Sequence, residues 1–467
     1  MLFAVPVPLA SRLSPRSAAP LFIAALLTTT TLSGLLIASV LRSGVIRYSL
    51  GGWPAPIGIE YRVGIHAASS MFMVSLVSLL VGLYSVWYGR HELGSRTPYF
   101  YTLALTLLSG VLGVIATWDI FNLYVMLELA AASSYGLVAL RSDRARALAA
   151  GARYAVYGVA AATLMLFAIA LLYYEAGVLH LDGLRERFTS PHTVCGCVSI
   201  AILLWASMFF LAVFPNHFWL PDAHSEAPSP ASAMLSGVSM VSALFMTSKL
   251  LYALPRCRIA VPVLAVSSAS SLYASFMLAQ SRDVKRALGY STTVNTSLML
   301  MGLVTGGALG VGAAVAHALT HVVGKALAFL ALGVFVHRFR TRNIYALEGA
   351  GRVYPLAFLA LSMAFLSLVG LPPFSGFFSK LYLYYALALS GYIAPAAILV
   401  LVSAISLYGY LRIVEHLWHV PPYAKPYTET LSSWVKVALL GLVALLLILS
   451  VFIDPLVQGS GSSPLTG

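Results

Sequence analysis

The chain contains long continuous apolar runs, each of about 20 residues, which is the length that an α-helix needs to cross a bilayer. A transmembrane β-barrel would instead alternate apolar and polar residues along each strand, and the runs do not alternate. Hydrophobic residues make up 60% of the 467 residues, which excludes a soluble globular domain. The sequence therefore predicts an all-α polytopic membrane protein, since helices satisfy their own backbone hydrogen bonds in lipid.

We predict about thirteen transmembrane helices in one membrane domain, 1–467. The runs are centred in 20–41, 65–88, 99–117, 119–140, 152–175, 195–214, 230–254, 260–280, 288–306, 309–335, 354–389, 392–413 and 433–455. The first dozen residues are too short to cross, and no cleavage site of a signal peptide follows them. No connection is long enough to hold a separate soluble domain.

Two of these segments are interrupted. The eleventh run is too long for one helix, and the sequence LPPFSG (371–376) divides it with two prolines and a glycine. A similar break, FPNHFWLP (214–221), follows the sixth span. Broken helices at membrane depth are tolerated mainly where they line a polar cavity. Their separation by five spans predicts two structural repeats of about five helices, 99–254 and 260–413.

The net charge of +13 comes largely from arginines in the short connections between apolar runs. This pattern signals membrane topology and excludes nucleic-acid binding. Basic residues are concentrated on the side that carries the N-terminus, which predicts a cytoplasmic N-terminus and a location in the plasma membrane. The connections on that side contain Arg12, Arg16, Arg90, Arg96, Arg141, Arg144, Arg146, Arg153, Arg282, Lys285, Arg286, Arg338, Arg340, Arg342, Arg352, Arg412 and Lys425.

Four charged residues, Glu128, Lys249, Lys325 and Lys380, fall inside apolar runs, although only 9% of the residues are charged. Charge at this depth costs at least a few kcal/mol per residue (about 2.5–3.5 on insertion scales) and usually marks an ion or proton pathway. His317 lies eight residues before Lys325, and His321 lies midway, so all three share one side of a helix at steps of about 6 Å. Such a file of titratable groups is typical of a proton relay.

Each of these residues also has a purely structural interpretation. Glu128 could be a protonated carboxyl group that bonds a neighbouring helix. The two histidines could tie helices together, with Lys325 extending its amine to the membrane surface. A lysine near the end of a span, as Lys249 is, could extend its amine to the membrane surface. Lys380 follows the second break by one helical turn, which favours a role in proton exchange.

The connection PNHFWLPDAHSEAPSP contains a possible ligand cluster of His217, Asp222, His224 and Glu226. The spacing matches no known metal motif, and the three prolines favour a rigid, solvated loop at the membrane edge. The three cysteines form no ligand-spaced set, and we expect neither a disulfide framework nor a metal. No nicotinamide, flavin or iron–sulfur signature is present. We therefore expect no cofactor in this chain and no catalysis by the chain alone, so any electron transfer belongs to partner subunits.

Six segments together resemble the proton-antiporter-like membrane subunits. That family includes the D subunit of Mrp-type cation/proton antiporters and related subunits of complex I (NADH:quinone oxidoreductase) and of membrane-bound hydrogenases. The segments are LGGWPAPIGIEYRV (50–63), WDIFNLYVMLELAAASSYGLVAL (118–140), FWLPDAHSEAPSPASAMLSG (218–237), DVKRALGYST (283–292), HALTHVVGKALAFLALG (317–333) and GLPPFSGFFSKLYL (370–383).

The resemblance implies fourteen spans in two inverted repeats and a complex of several integral membrane subunits that carry H⁺ and, in some cases, Na⁺. By motif position, Glu128 matches a glutamate that pairs with a lysine in the first repeat. His317, His321 and Lys325 match the central chain, and Lys380 matches the charged residue on the second broken helix.

The chain departs from the family pattern at several positions. Phe210 and Val241 stand where family members carry lysines, and Gly64 replaces an aspartate. Glu128 therefore lacks its expected partner, and Lys249 on the next helix is the candidate replacement. Asp119 is a further accessory candidate. The usual first span is reduced to residues 1–12, which would explain thirteen spans in place of fourteen.

These observations predict a proton-translocating subunit of an antiporter or of a respiratory complex. The pathway residues would be Glu128, His317, His321, Lys325 and Lys380. The alternative is a non-conducting structural subunit, since the lysine expected at Phe210 is missing. A stand-alone transporter of an organic substrate explains the file of protonatable residues less well. The sequence leaves the coupling ion and the driving reaction open.

Overall fold

The computed structural model describes Val7, 17–188, 194–254, 259–419 and 429–458. The N-terminal half contains α1 (Ala18–Ser43), β1 (Ile46–Ser49), β2 (Glu60–Val63), α2 (Ile65–Tyr88), α3 (Thr97–Ala116), α4 (Ile120–Val138), α5 (Ala145–Ala176), α6 (Leu181–Arg187), α7 (Val194–Phe210), α8 (Trp219–Glu226), α9 (Ser229–Ala233) and α10 (Met240–Ala253). The second half contains α11 (Ala260–Gln280), α12 (Val284–Thr305), α13 (Gly307–Phe339), α14 (Ala350–Val353), α15 (Pro355–Val369), α16 (Ser375–Leu389), α17 (Ile393–Trp418) and α18 (Ser433–Gln458).

The prediction of an all-α polytopic membrane protein is confirmed. In the described part of the chain, nine helices are long and apolar enough to cross a membrane, or up to ten if the bent pair Ile344–Val353 and Pro355–Val369 forms one span. Every one of the thirteen predicted segments contains a helix, but the count of thirteen itself stays a prediction. Arg12, Arg16, Lys425, Cys257 and the shortened first span lie outside the described residues.

The helix connections gather at two faces of the molecule. At one face, the hairpin of β1 and β2 meets the turn before α4, where Trp118 N donates to Glu60 O at 2.8 Å. We call this the hairpin face. At the opposite face, which we call the basic face, the start of α12 bonds the chain that follows α13, since Ile344 N donates to Arg282 O at 2.9 Å. The arginine-rich connections lie at this basic face, as the sequence pattern indicates.

The two predicted breaks are confirmed. α7 ends at Phe210, and its continuation α8 begins only at Trp219. In the second half, α15 ends at Val369, Gly370 takes a positive φ of 89°, and α16 begins at Ser375. Any side chain at Gly376 would clash with the carbonyl oxygen of Ser367. Glycine therefore allows the two half-helices to cross closely at the break.

The helix α13 forms the centre of the second half, and 94% of the residues in its most apolar stretch are buried. It packs against α12, α15, α16 and α18. The neighbouring helix α12 is unusual because its buried face carries a run of hydroxyl and amide side chains, STTVNTS (291–297). Polar groups in a dry core need hydrogen-bond partners, so α12 brings polar contacts to the side chains of α13.

Candidate functional site

The helix α13 places three titratable side chains one turn apart, as its spacing predicts. His317, His321 and Lys325 are all buried, and Lys325 is 0% exposed. A lysine so completely buried has no route to the membrane surface, which rules out the interpretation that its amine extends to water. Its amine must find partners inside the protein.

The two ring nitrogens of His317 face different helices. Nδ1 lies 2.9 Å from Ser379 Oγ on α16, and Nε2 lies 3.1 Å from Asn295 Oδ1 on α12. The amide nitrogen of Asn295 donates to Ser291 O at 2.7 Å, so its oxygen is the atom that faces the histidine. An amide oxygen can only accept, and Nε2 therefore carries the proton. The lone pair of Nδ1 is left to accept from the Ser379 hydroxyl.

Lys325 is bonded to the same polar helix. Its Nζ donates to Leu288 O at 2.8 Å and to Ser291 Oγ at 2.5 Å, and the same hydroxyl is paired with Tyr410 on α17. His321 Nε2 donates to Ser236 O at 3.2 Å, in the π-helical turn Met234–Ser239 between α9 and α10. Nδ1 of His321 has no hydrogen-bond partner among the described residues.

Lys380 lies against the second break. Its Nζ donates to the carbonyl oxygen of Val369, the last residue of α15, at 2.8 Å, and to Ser403 Oγ on α17 at 3.1 Å. The adjacent residue Ser379 contacts His317.

The structure thus brings four of the five predicted pathway residues into one buried polar region. Lys325 bonds the hydroxyl of Ser291. Asn295 bonds the backbone carbonyl oxygen of Ser291 and the ring of His317. His317 also contacts Ser379, the residue before Lys380, and the charge of Lys380 acts on His317. We call these six residues the central series.

Glu128, the fifth predicted residue, is not part of this series. It is half-buried on α4, and its Oε1 has no hydrogen-bond partner among the described residues. Its electrostatic neighbours are tyrosines, namely Tyr124, Tyr135 and Tyr154. Phe210 and Val241, the positions where the resemblance places lysines, are both buried in the apolar core.

Lys249 and Asp119 lie together at the junction of α3 and α4. The Nζ of Lys249 donates to three carbonyl oxygens, those of Val114, Ile115 and Thr117, at 2.6–2.8 Å. These carbonyls end α3 and lack partners within the helix, so Lys249 caps it. Asp119 caps the start of α4 by accepting from Asn122 N at 2.7 Å. The interpretation in which Lys249 reaches the surface is wrong, since its side chain is only 1% exposed.

The cluster of His217, Asp222, His224 and Glu226 is not the solvated loop that the sequence suggested. Most of α8 is buried, and His224 is 0% exposed. The two carboxylates are held by arginines from the second half: Asp222 by Arg286 at 2.5 Å and Glu226 by Arg342 at 2.9 Å. The loop is buried because α8 is inserted between α5 and α12.

The sequence analysis missed Ser291, Asn295 and Ser379. For Ser291 and Asn295 the signal was present in the hydroxyl-rich run of α12, whereas Ser379 is a single hydroxyl on α16. Single Ser and Asn residues in apolar helices usually bond their own backbone. Several neighbours do so here; for example, Thr296 Oγ1 donates to Thr292 O at 3.1 Å. Only the packing of α12 against α13 distinguishes the residues that contact the histidine and lysines.

Comparison with known proteins identifies the family of this chain. Residues 117–406 match the model of a family described as NADH:quinone oxidoreductase/Mrp antiporter, transmembrane. NADH-quinone oxidoreductase subunit N of Desulforudis audaxviator is 30% identical, and the match covers 97% of this chain and 95% of that protein.

Solved structures agree with this match. A chain of the membrane-bound sulfane sulfur reductase, an archaeal respiratory membrane complex, superimposes with a TM-score of 0.92 at 27% identity, over 99% of this chain and 96% of that chain. A chain of the Mrp complex of Dietzia sp. has the same fold, with a TM-score of 0.84 at 24% identity over 100% and 95% of the two chains. Both neighbours are chains of multisubunit membrane complexes. The chain described here is therefore a member of the NADH:quinone oxidoreductase/Mrp antiporter transmembrane family.

Proposed function

We propose that this chain is a proton-translocating membrane subunit of a multisubunit complex, either an Mrp-type antiporter or a respiratory complex. The observation that carries the proposal is the buried central series, in which Lys325 and Lys380 flank the groups that bond His317. Two buried lysines at the ends of a histidine and hydroxyl series have no evident packing purpose, and burying them is expensive. We also propose that the complex lies in the plasma membrane with the N-terminus and the basic face in the cytoplasm, because basic residues are concentrated on that side.

The chemistry follows from the hydrogen-bond directions. His317 can accept a proton at Nδ1 from the Ser379 hydroxyl. The amine of Lys380 bonds Val369 O and Ser403 Oγ, so a water between this amine and Ser379 would return the proton to the hydroxyl. An imidazolium then forms whose charge opposes a charge on either lysine, so a proton on one group changes proton occupancy on its neighbours. Such coupling would pass a conformational or ionic signal from partner subunits along the chain.

The family resemblance includes Na⁺/H⁺ exchange as one form of this activity, and Na⁺ exchange is part of the proposal for an Mrp-like complex. The structural alternative, a non-conducting subunit, rests on Phe210 and Val241, which affect only the first half. The second half keeps every residue of the central series. For this reason we favour conduction.

The test uses the whole complex reconstituted in vesicles, with a pH-sensitive dye reporting proton transport under the driving reaction of the complex. We expect Lys325→Ala and Lys380→Ala to abolish the signal, because each removes an end of the series. We expect Glu128→Gln to reduce transport less than these two, because Glu128 has no bonded connection to the series. The matched control is Lys436→Ala, which removes an exposed lysine at the start of α18.

If every variant pumped protons at the wild-type rate, conduction by this chain would be disproved and a structural role favoured. Identification of the co-purified subunits distinguishes an Mrp-type antiporter from a respiratory complex. Iron–sulfur or nickel subunits would indicate a respiratory complex, and small membrane subunits alone would indicate an antiporter.

A further inference from the structure

A polar cavity of about 220 Å³ opens near the basic face. Its lining includes Glu92, Arg141, His337 and the amine-bearing residue Lys285. Lys285 lies in the first turn of α12 and is almost fully buried. Its Nζ donates to the carbonyl oxygen of Ala227, the residue that follows α8. Lys285 thus forms the inner wall of a cavity and points toward the end of α8.

His224 lies on α8, one turn before Ala227, whose carbonyl oxygen accepts from Lys285. It is 0% exposed, and neither ring nitrogen has a hydrogen-bond partner among the described residues. A buried polar atom without a partner costs about 1–3 kcal/mol, and two on one ring need an explanation. The family function described above does not use this residue.

The surroundings of His224 connect it to the central series. Its ring centroid lies 4.9 Å from that of Phe329, which is one turn from Lys325 on α13. The charges of Lys325 and of Lys285 both act on His224, and His224 in turn interacts with His321. The titratable groups whose charges act on His224 are therefore Lys285 from α12 and Lys325 and His321 from α13. No carboxylate is among its electrostatic partners in the described structure.

We propose that the cavity, Lys285 and His224 form a proton inlet from the basic face to Lys325. The inference rests on the proposed proton-translocating function and names its route of access. A proton from water in the cavity binds the neutral amine of Lys285. Neither ring nitrogen of His224 bonds a described protein group, so water bridges both steps. Through one water the ammonium group passes a proton to the unprotonated nitrogen of His224, and through another the opposite nitrogen releases its own proton to the neutral amine of Lys325. Lys285 and His224 are then neutral again, the ring in its other tautomer until it flips, and Lys325 holds the proton until it passes into the central series.

The inlet accounts for the loss of lysines in the first half. Phe210 and Val241 are apolar, so a route through the first half to the centre would lack its lysine steps. The proposed inlet needs neither position and does not involve Glu128. It reaches the central series at Lys325, which is the end opposite Lys380.

The test compares His224→Gln and His224→Ala in the reconstituted whole complex. Glutamine retains hydrogen-bonding groups but cannot titrate, so it would preserve a purely structural role. We expect His224→Gln to slow proton transport roughly 10²-fold, the lower end of what a positioned proton-transfer group contributes. The matched control, His217→Gln, changes the other buried histidine of the same break and should transport normally.

Chemical rescue provides a second readout that a packing role would not show. If His224→Ala assembles, added imidazole should restore part of its transport, and it should not accelerate Lys325→Ala. If His224→Ala does not assemble, His224→Gln alone decides.

The outcomes separate the inlet from the function on which it rests. Normal transport in His224→Gln, with Lys325→Ala inactive, would overturn the inlet and leave the central series intact. Normal transport in Lys325→Ala would overturn the proposed function itself.

Discussion

At the residue scale, the buried lysines differ in the kind of acceptor that holds them. Lys249 is bound by three backbone carbonyls at the end of α3, which can accept hydrogen bonds but cannot donate a proton. Lys325 and Lys380 each bond one carbonyl and one hydroxyl. A hydroxyl both donates and accepts, so it can pass a proton onward. Lysine therefore caps a helix at position 249 and, in the proposed function, relays protons at positions 325 and 380.

The first prediction concerns Lys249. Lys249→Met keeps the length of the side chain but leaves three buried carbonyl oxygens without their donor. We expect a loss of stability of at least about 3 kcal/mol, since three groups are left unsatisfied and each costs about 1–3 kcal/mol. Thermal unfolding of the purified complex measures the loss, and transport per assembled complex should stay near the wild-type value. Transport that fails at unchanged stability would instead support the accessory role predicted from the sequence.

The second prediction concerns Asn295, which sets the tautomer of His317. Asn295→Leu removes the acceptor of Nε2, so the ring is free to place its proton on Nδ1 and lose the lone pair that faces Ser379. We expect slower proton transport and a changed dependence of rate on pH. The control is Thr296→Val, because Thr296 bonds only carbonyls of its own helix. Equal rates in the two variants would show that the Asn295 contact has no role.

At the element scale, the junction at the hairpin face is held by one carboxylate. Asp182 on α6 accepts from Arg62 of β2 at 2.7 Å, from Trp118 before α4 at 3.0 Å and from Tyr252 of α10 at 2.9 Å. Burial raises the pKa of Asp182, but these hydrogen bonds outweigh burial and lower the pKa to about 2. The three contacts tie the hairpin, α4 and α10 to one point beside the Lys249 cap.

The third prediction gives this junction a pH dependence. A carboxyl group with a folded pKa near 2 and an ordinary value of 3.8 stabilises the folded state above the ordinary value and loses this effect as the pH falls through the folded pKa. We expect Asp182→Asn to lower stability by about 1–2 kcal/mol at neutral pH, after allowance for partial exposure. The difference from wild type should shrink below about pH 4.

Thermal unfolding over a pH series measures this difference. Glu186→Gln, an exposed change on the same short helix, is the control and should have no effect. A difference that is constant down to low pH would contradict an ionised Asp182 as the anchor.

At the scale of the whole molecule, the distribution of charge predicts how the chain sits in the membrane. The fourth prediction uses a cysteine-free background in which Cys195, Cys197 and Cys257 are replaced by serine. Ile57→Cys on the hairpin connection, where Ile57 is 81% exposed, should react with a membrane-impermeant maleimide in intact cells. Ser142→Cys at the basic face should react only after permeabilisation. The opposite labelling pattern would reverse the proposed orientation.

Much of this molecule is predictable from the sequence because it depends on neighbours along the chain. Apolar runs mark helices, prolines with glycine mark the break near 371–376, and steps of four residues place His317, His321 and Lys325 on one side of α13. The short hairpin of β1 and β2 was not predicted, since strands of four residues carry little periodic signal.

Sequence alone thus determined the membrane class of the protein, its two breaks and the positions of Lys249, Lys325 and Lys380 inside helices. Tertiary structure alone decided what those groups contact. Ser379 lies 62 residues from His317, and Thr117 lies 132 residues from Lys249. The burial of His224 depends likewise on helices far from α8 in sequence. Periodicity follows from the local geometry of one helix, whereas hydrogen-bond partners are chosen by how separate helices pack, and no local pattern encodes that packing.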